Sequence, residues 1–82
     1  MLTGQQIRMA RSALKWSARE LAKRTGLAMK TIQRIEATDG APSSYSSTLT
    51  DLKACFESAG IEFIGTPDDG PGIRIRTSPP KL

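Results

Sequence analysis

The sequence predicts a mainly α domain of four helices that ends in a C-terminal β-hairpin. Three observations predict it. Apolar residues recur at three- and four-residue spacing through residues 3–36 and again through 48–59, the period of a helix with one buried face. Glycine and proline interrupt that pattern at Gly26, Gly40, Pro42 and Gly60, where helices should stop. After Gly60 the pattern changes to β-branched, partly alternating segments around a turn-rich stretch.

The first helix is expected over residues 3–15. Thr3 supplies an N-cap and Gln6 stands three residues on, as in a capping box. Ile7, Ala10 and Leu14 form its inward stripe, with Arg8, Arg11 and Lys15 facing outward. Trp16, the only tryptophan, is read as a packing residue. Ser17 caps the second helix, where Ala18, Leu21 and Ala22 share one face. Thr25-Gly26 ends it, because glycine accepts the positive φ of a tight turn. Leu27 plugs the turn. A third helix starts near Ala28, with Ile32 and Ile35 inward and Met29, Lys30, Gln33 and Arg34 outward.

Residues 37–47 read as a loop in which Tyr45 packs its ring on the core. Serines 43, 44, 46 and 47 are candidate caps for a fourth helix over residues 48–59. Leu49, Leu52, Phe56 and Ala59 make its stripe, and Cys55 beside it is read as a small core hydrophobe. Gly60 is its C-cap. Strands are expected at residues 61–64 and 73–77, joined by the loop GTPDDGPG. An isolated hairpin is barely stable in water, so this one must pack on the helices, pair with a second chain, or both. Its free edge suits a sheet shared between two copies. The expected organisation is a DNA-binding unit over residues 1–60, a hairpin and dimerisation element over 61–77, and a disordered tail over 78–82.

Composition narrows the function classes. The 82 residues make one small domain. No apolar run spans a bilayer and no signal segment opens the chain, so a soluble, cytoplasmic protein is expected. With no histidine and one cysteine, His-based general-base chemistry, Cys-His nucleophiles, most zinc sites and an internal disulfide are excluded. No cofactor or metal is implied, and no catalytic residue is assigned. Asp68 and Asp69 sit in a turn with no scaffold to tune them as catalysts. No aromatics interleave with the basic residues to stack unpaired RNA bases. The net charge of +4 is uneven: residues 1–36 carry eight basic and two acidic side chains, residues 37–82 four and six. A polyanion binder with its reading head at the N-terminal end fits that asymmetry.

Residues 17–36 then read as a helix-turn-helix. Lys30 and Arg34 lie one turn apart on one helix face. Arg and Lys suit guanine O6 and N7, Gln33 suits adenine N6 and N7, and Met29 suits a thymine methyl. The free N–H groups at Ser17 suit a phosphate. Glu36 is assigned a structural role, paired with an arginine such as Arg19 or Arg24. Arg74 and Arg76 are read as a solvated strand face or, alternatively, as a grip on a phosphate.

The segments Ser17-Ala18-Arg19-Glu20-Leu21-Ala22, Thr25-Gly26-Leu27 and Thr31-Ile32-Gln33-Arg34-Ile35-Glu36, followed by Gly40 and Pro42, resemble the XRE family. These are the phage-repressor and Cro-type small bacterial transcriptional regulators, and the likeness covers residues 3–59. It implies a four-helix repressor-like domain whose third helix lies in the major groove of double-stranded DNA. Ala28, Met29, Lys30, Gln33 and Arg34 would face bases. Ser17, Arg19 and Thr31 would meet phosphates, and Lys15 is the remaining phosphate candidate. Many members carry Gln where this chain has Ala18, and Arg19 replaces that contact in part. The segment after Gly60 departs from members that finish with a fifth helix. A homodimeric regulator, most simply a repressor, is the expected function. The alternative is the antitoxin of a toxin–antitoxin pair, with a toxin as main partner.

Overall fold

The computed structural model describes residues 2–42 and 46–76. Tyr45, Ser43, Ser44, Thr77 and the tail at 78–82 lie outside the described residues. The element order is α1 (Gly4–Ala13), α2 (Ala18–Thr25), α3 (Met29–Glu36), α4 (Ser46–Ser58), β1 (Ile61–Thr66) and β2 (Asp69–Ile75). The mainly α architecture with a terminal hairpin is as the sequence predicts.

α1 begins at a complete capping box. The Thr3 hydroxyl accepts from the Gln6 N–H at 3.0 Å, and the Gln6 Oε1 accepts from the Thr3 N–H at 2.9 Å. The helix stops at Ala13, two residues before its expected end. Leu14 caps it and Lys15 takes a positive φ of 59°, which turns the chain toward α2. α4 starts at Ser46, two residues earlier than expected, and ends at Ser58.

The expected loop GTPDDGPG is mostly strand. β1 and β2 pair antiparallel from Ile61↔Ile75 to Thr66↔Asp69, with a register shift between Ile64 and Thr66, and only Pro67 and Asp68 form the turn. A ladder needs backbone N–H and C=O groups, not bulky side chains, so a glycine-rich segment pairs once its neighbours have set the register.

Ile7, Leu21, Ile32, Ile35, Leu52 and Phe56 are fully buried and bring all four helices to one core. Burying Phe56 stabilises the fold by about 1.5–3 kcal/mol. Trp16 stacks on Phe56 at 5.7 Å, as its packing assignment requires, and Phe63 of β1 meets Phe56 edge-on at 5.8 Å. The hairpin therefore packs on the helices. Gln6 locks it there: its Nε2 donates to the carbonyls of Ile64 at 2.9 Å and Gly72 at 2.8 Å. One buried amide thus caps α1 with its oxygen and holds both strands with its nitrogen.

Candidate nucleic-acid interface

α2, the turn and α3 are built locally. The Ser17 hydroxyl accepts from the Glu20 N–H at 3.0 Å. Gly26 closes α2 at φ 76°, donating to Ala22 O at 2.8 Å. A side chain there would be strained in the left-handed region. Thr25 stitches the turn: its hydroxyl donates to Leu21 O at 2.8 Å and accepts from the Leu27 N–H at 3.2 Å. Ala28 caps α3 without a side-chain hydrogen bond. The first N–H groups of α3 are thus left to an outside acceptor.

α3 divides into two faces. Ile32, Ile35 and Glu36 are buried, while Lys30, Gln33 and Arg34 are exposed at i, i+3 and i+4. Of the other residues assigned to bases or phosphates, Ala28, Lys15, Ser17 and Arg19 are exposed, and Met29 and Thr31 are half-buried. Lys23, one turn beyond Arg19, is exposed as well.

Charge pairing separates the cations of residues 1–36 into two groups. Arg8 pairs with Asp39, Arg11 with Glu36, and Arg24 with Glu20. Among the described residues, Lys15, Arg19, Lys23, Lys30 and Arg34 pair with no carboxylate. The uncompensated positive charge is therefore carried by α2, α3 and the residue that leads into them.

Two expectations are corrected. Arg8 and Arg11 do not face outward. Both reach from α1 to the end of α3, where Arg8 also donates to the Glu36 carbonyl. Glu36 pairs with neither Arg19 nor Arg24. Its carboxylate is 9% exposed and takes Arg11 Nε at 3.0 Å and Nη2 at 2.8 Å, a bidentate grip. Arg11 Nη1 donates on to Trp16 O at 3.1 Å. That hydrogen bonding holds the Arg11 guanidinium pKa above its usual value. The crossing of α1 behind α3 brings Arg11 to Glu36 in place of the arginines of α2. Arg24 instead lies over the Trp16 ring at 4.3 Å. Arg74 and Arg76 both converge on Glu62 at 3.3 and 2.8 Å. Cys55 is half-buried, and burial pushes its thiol pKa up, partly offset by the Arg24 charge. It behaves as the core hydrophobe expected. No described helix is long and apolar enough to cross a membrane.

A helix-turn-helix family model matches residues 7–44, which span α1, α2, α3 and the loop after them. No curated protein matches the chain. The matched segment holds the capped α2, the glycine turn and the cationic α3. Residues 7–44 are a helix-turn-helix of the XRE type, a domain of DNA-binding transcription regulators.

Proposed function

We propose that the protein is a sequence-specific double-stranded DNA-binding repressor that acts as a homodimer, with α3 as its recognition helix. The observation that carries this is the outer face of α3. It offers Lys30, Gln33 and Arg34 without an intramolecular carboxylate partner, on a helix rigidly seated by Ile32, Ile35 and the Glu36–Arg11 pair. Those three side chains carry the hydrogen-bonding groups that distinguish G·C and A·T edges in the major groove. Met29 and Ala28 extend the reading surface. Ser17, Arg19, Thr31 and Lys15 hold the backbone and set register.

A single module of this size contacts too few bases to be selective, whereas two reading adjacent half-sites are. The body measures 33 × 31 × 21 Å. Two copies side by side would space their recognition helices near the ~34 Å of one DNA turn. Repression follows from occupying a promoter, in the cytoplasm where the DNA is.

Selection of bound sequences from random duplex DNA should return a motif with two half-sites. Lys30→Ala with Arg34→Ala should then lose about tenfold or more in operator affinity per contact removed. The circular dichroism spectrum should not change, because both side chains are exposed. Equal discrimination between operator and random duplex before and after the change would refute α3 as the reading head. The open edge of β2 supports a second reading, an antitoxin whose hairpin binds a toxin. A small toxin-like reading frame directly beside this one would favour it.

A further inference from the structure

The hairpin leaves part of the outer edge of β2 unguarded. The Arg76 N–H donates to Gly60 O at 2.8 Å, so Arg76, Arg74 and Gly72 turn their backbone groups toward β1. By alternation, Ile75, Ile73 and Pro71 turn theirs away. Among the described residues, nothing hydrogen-bonds the backbone of Ile73 or Ile75 on that side. Proteins usually protect such edges with charge, proline or a bulge. Here the bulge, where Gly70 and Pro71 of β2 stand opposite Gly65 of β1, and Pro71 itself guard only the turn-proximal end of β2. At the other end stands Ile75, 58% exposed.

Its position is informative. Ile75 pairs with Ile61, and Ile73 with Phe63, so all four lie on the sheet face turned to the helices. Ile61 is 1% exposed and Phe63 packs on Phe56, yet Ile75 overhangs the core at the outer edge. A large apolar side chain on the inner face, left uncovered, points to a surface completed by something else.

We infer that the outer edge of β2 pairs antiparallel with the same edge of a second copy, making a four-stranded sheet that continues across the dimer. This rests on the homodimer reading above and adds where the two copies meet. The edge is self-complementary about a two-fold axis through Ile73. There Ile73 exchanges N–H and C=O bonds with its counterpart, and the Ile75 N–H reaches the Pro71 carbonyl of the other copy. Pro71 has no N–H, and this register asks it only to accept. On the inner face, Pro71, Ile73 and Ile75 of one copy lie against Ile75, Ile73 and Pro71 of the other. On the outer face Arg74 faces Gly72 instead of another Arg74, and Glu62 already compensates Arg74 and Arg76 within each copy. No like charges oppose one another at the seam.

The test combines sedimentation velocity with amide hydrogen exchange on the full chain. The wild type should sediment as a dimer with the Ile73 and Ile75 amides protected. Ile75→Lys should sediment as a monomer with a wild-type circular dichroism spectrum and fast exchange at Ile73. Ile75→Thr, which keeps the β-branch without a charge, repeats the test if the lysine variant fails to fold. A wild-type dimer with unprotected Ile73 and Ile75 amides, or an Ile75→Lys dimer as tight as wild type, overturns the edge pairing and leaves the homodimer reading standing. A wild type that is monomeric both free and on operator DNA overturns both. Protection of these amides only in a stoichiometric complex with another protein gives the edge to that partner and overturns self-pairing.

Discussion

Removing Arg11 should unseat the recognition helix from behind. Its guanidinium holds the Glu36 carboxylate by two bonds, and Glu36 is only 9% exposed, so Arg11→Ala leaves a buried charge without a partner. Breaking a fully buried pair in this way costs about 3–5 kcal/mol. The Arg11 side chain is 27% exposed, and water can reach part of the vacated site, so a cost of about 2–3 kcal/mol is expected. That is a large share of the stability of a domain this size, about 4–12 kcal/mol. Replacing both partners, Arg11→Met with Glu36→Leu, removes the desolvated charge together with the pair. The double variant should return to within about 1 kcal/mol of wild type, the residue being the lost bond to Trp16 O. Urea unfolding followed by Trp16 fluorescence reads Arg11→Ala and the four members of the cycle, wild type, Arg11→Met, Glu36→Leu and the double variant. The reasoning fails if Arg11→Ala costs under about 0.5 kcal/mol, or if the double variant loses the sum of the two single losses. Either result would make the pair a solvated surface contact, and α3 would owe its position to Ile32 and Ile35 alone.

Gly4→Ala should destabilise the fold by about 2–4 kcal/mol in a thermal or urea melt, since an added Cβ would fall inside contact distance of the Thr38 and Ile35 carbonyl oxygens. A melt within experimental error of wild type would show that α1 can slide away from the end of α3 without cost. Cys55, whose thiol pKa is raised by burial, should react with iodoacetamide at pH 8 more slowly in the folded chain than in urea. The sign for stability follows. The folded chain keeps the Cys55 proton after the unfolded chain has lost it, so this contribution is whole below the ordinary thiol pKa and drains away as pH rises through the raised value. A Cys55→Ala variant should lose less stability than wild type between neutral and alkaline pH, and identical profiles would count against the assignment.

The helical register was legible in the chain because burial and period are local properties. Ile7, Leu21, Ile32, Ile35, Leu52 and Phe56 fall where one helix face must be apolar, and all six are buried. Caps and turns were equally readable: Ser17, Thr3 with Gln6, and Gly26 act within three or four residues of where they stand. The exposed face of α3 follows from the same period, so Lys30, Gln33 and Arg34 could be singled out before any fold was known.

What the chain could not show alone depends on residues far apart in it. The partner of Glu36 is 25 positions away, and only the crossing of α1 and α3 chooses Arg11 over Arg19 and Arg24. That choice also decides which cations remain uncompensated, because Arg8 and Arg11 are paired with Asp39 and Glu36 while Lys15, Arg19, Lys23, Lys30 and Arg34 pair with no described carboxylate. Gln6 looked like a cap and proved to be a cap and a strap, since the carbonyls it holds lie 58 and 66 residues on. The hairpin was visible as two β-branched runs, but its extent was not. Pairing of Thr66 with Asp69, past the irregularity at Gly65 and Gly70, is decided by the ladder already formed around it, not by side-chain preference. The sequence by itself determined the helices, their buried faces and the helix-turn-helix, which are set by period and by short-range capping. Tertiary structure decided how charge is shared out and which strand edge is left open, because both depend on which elements meet.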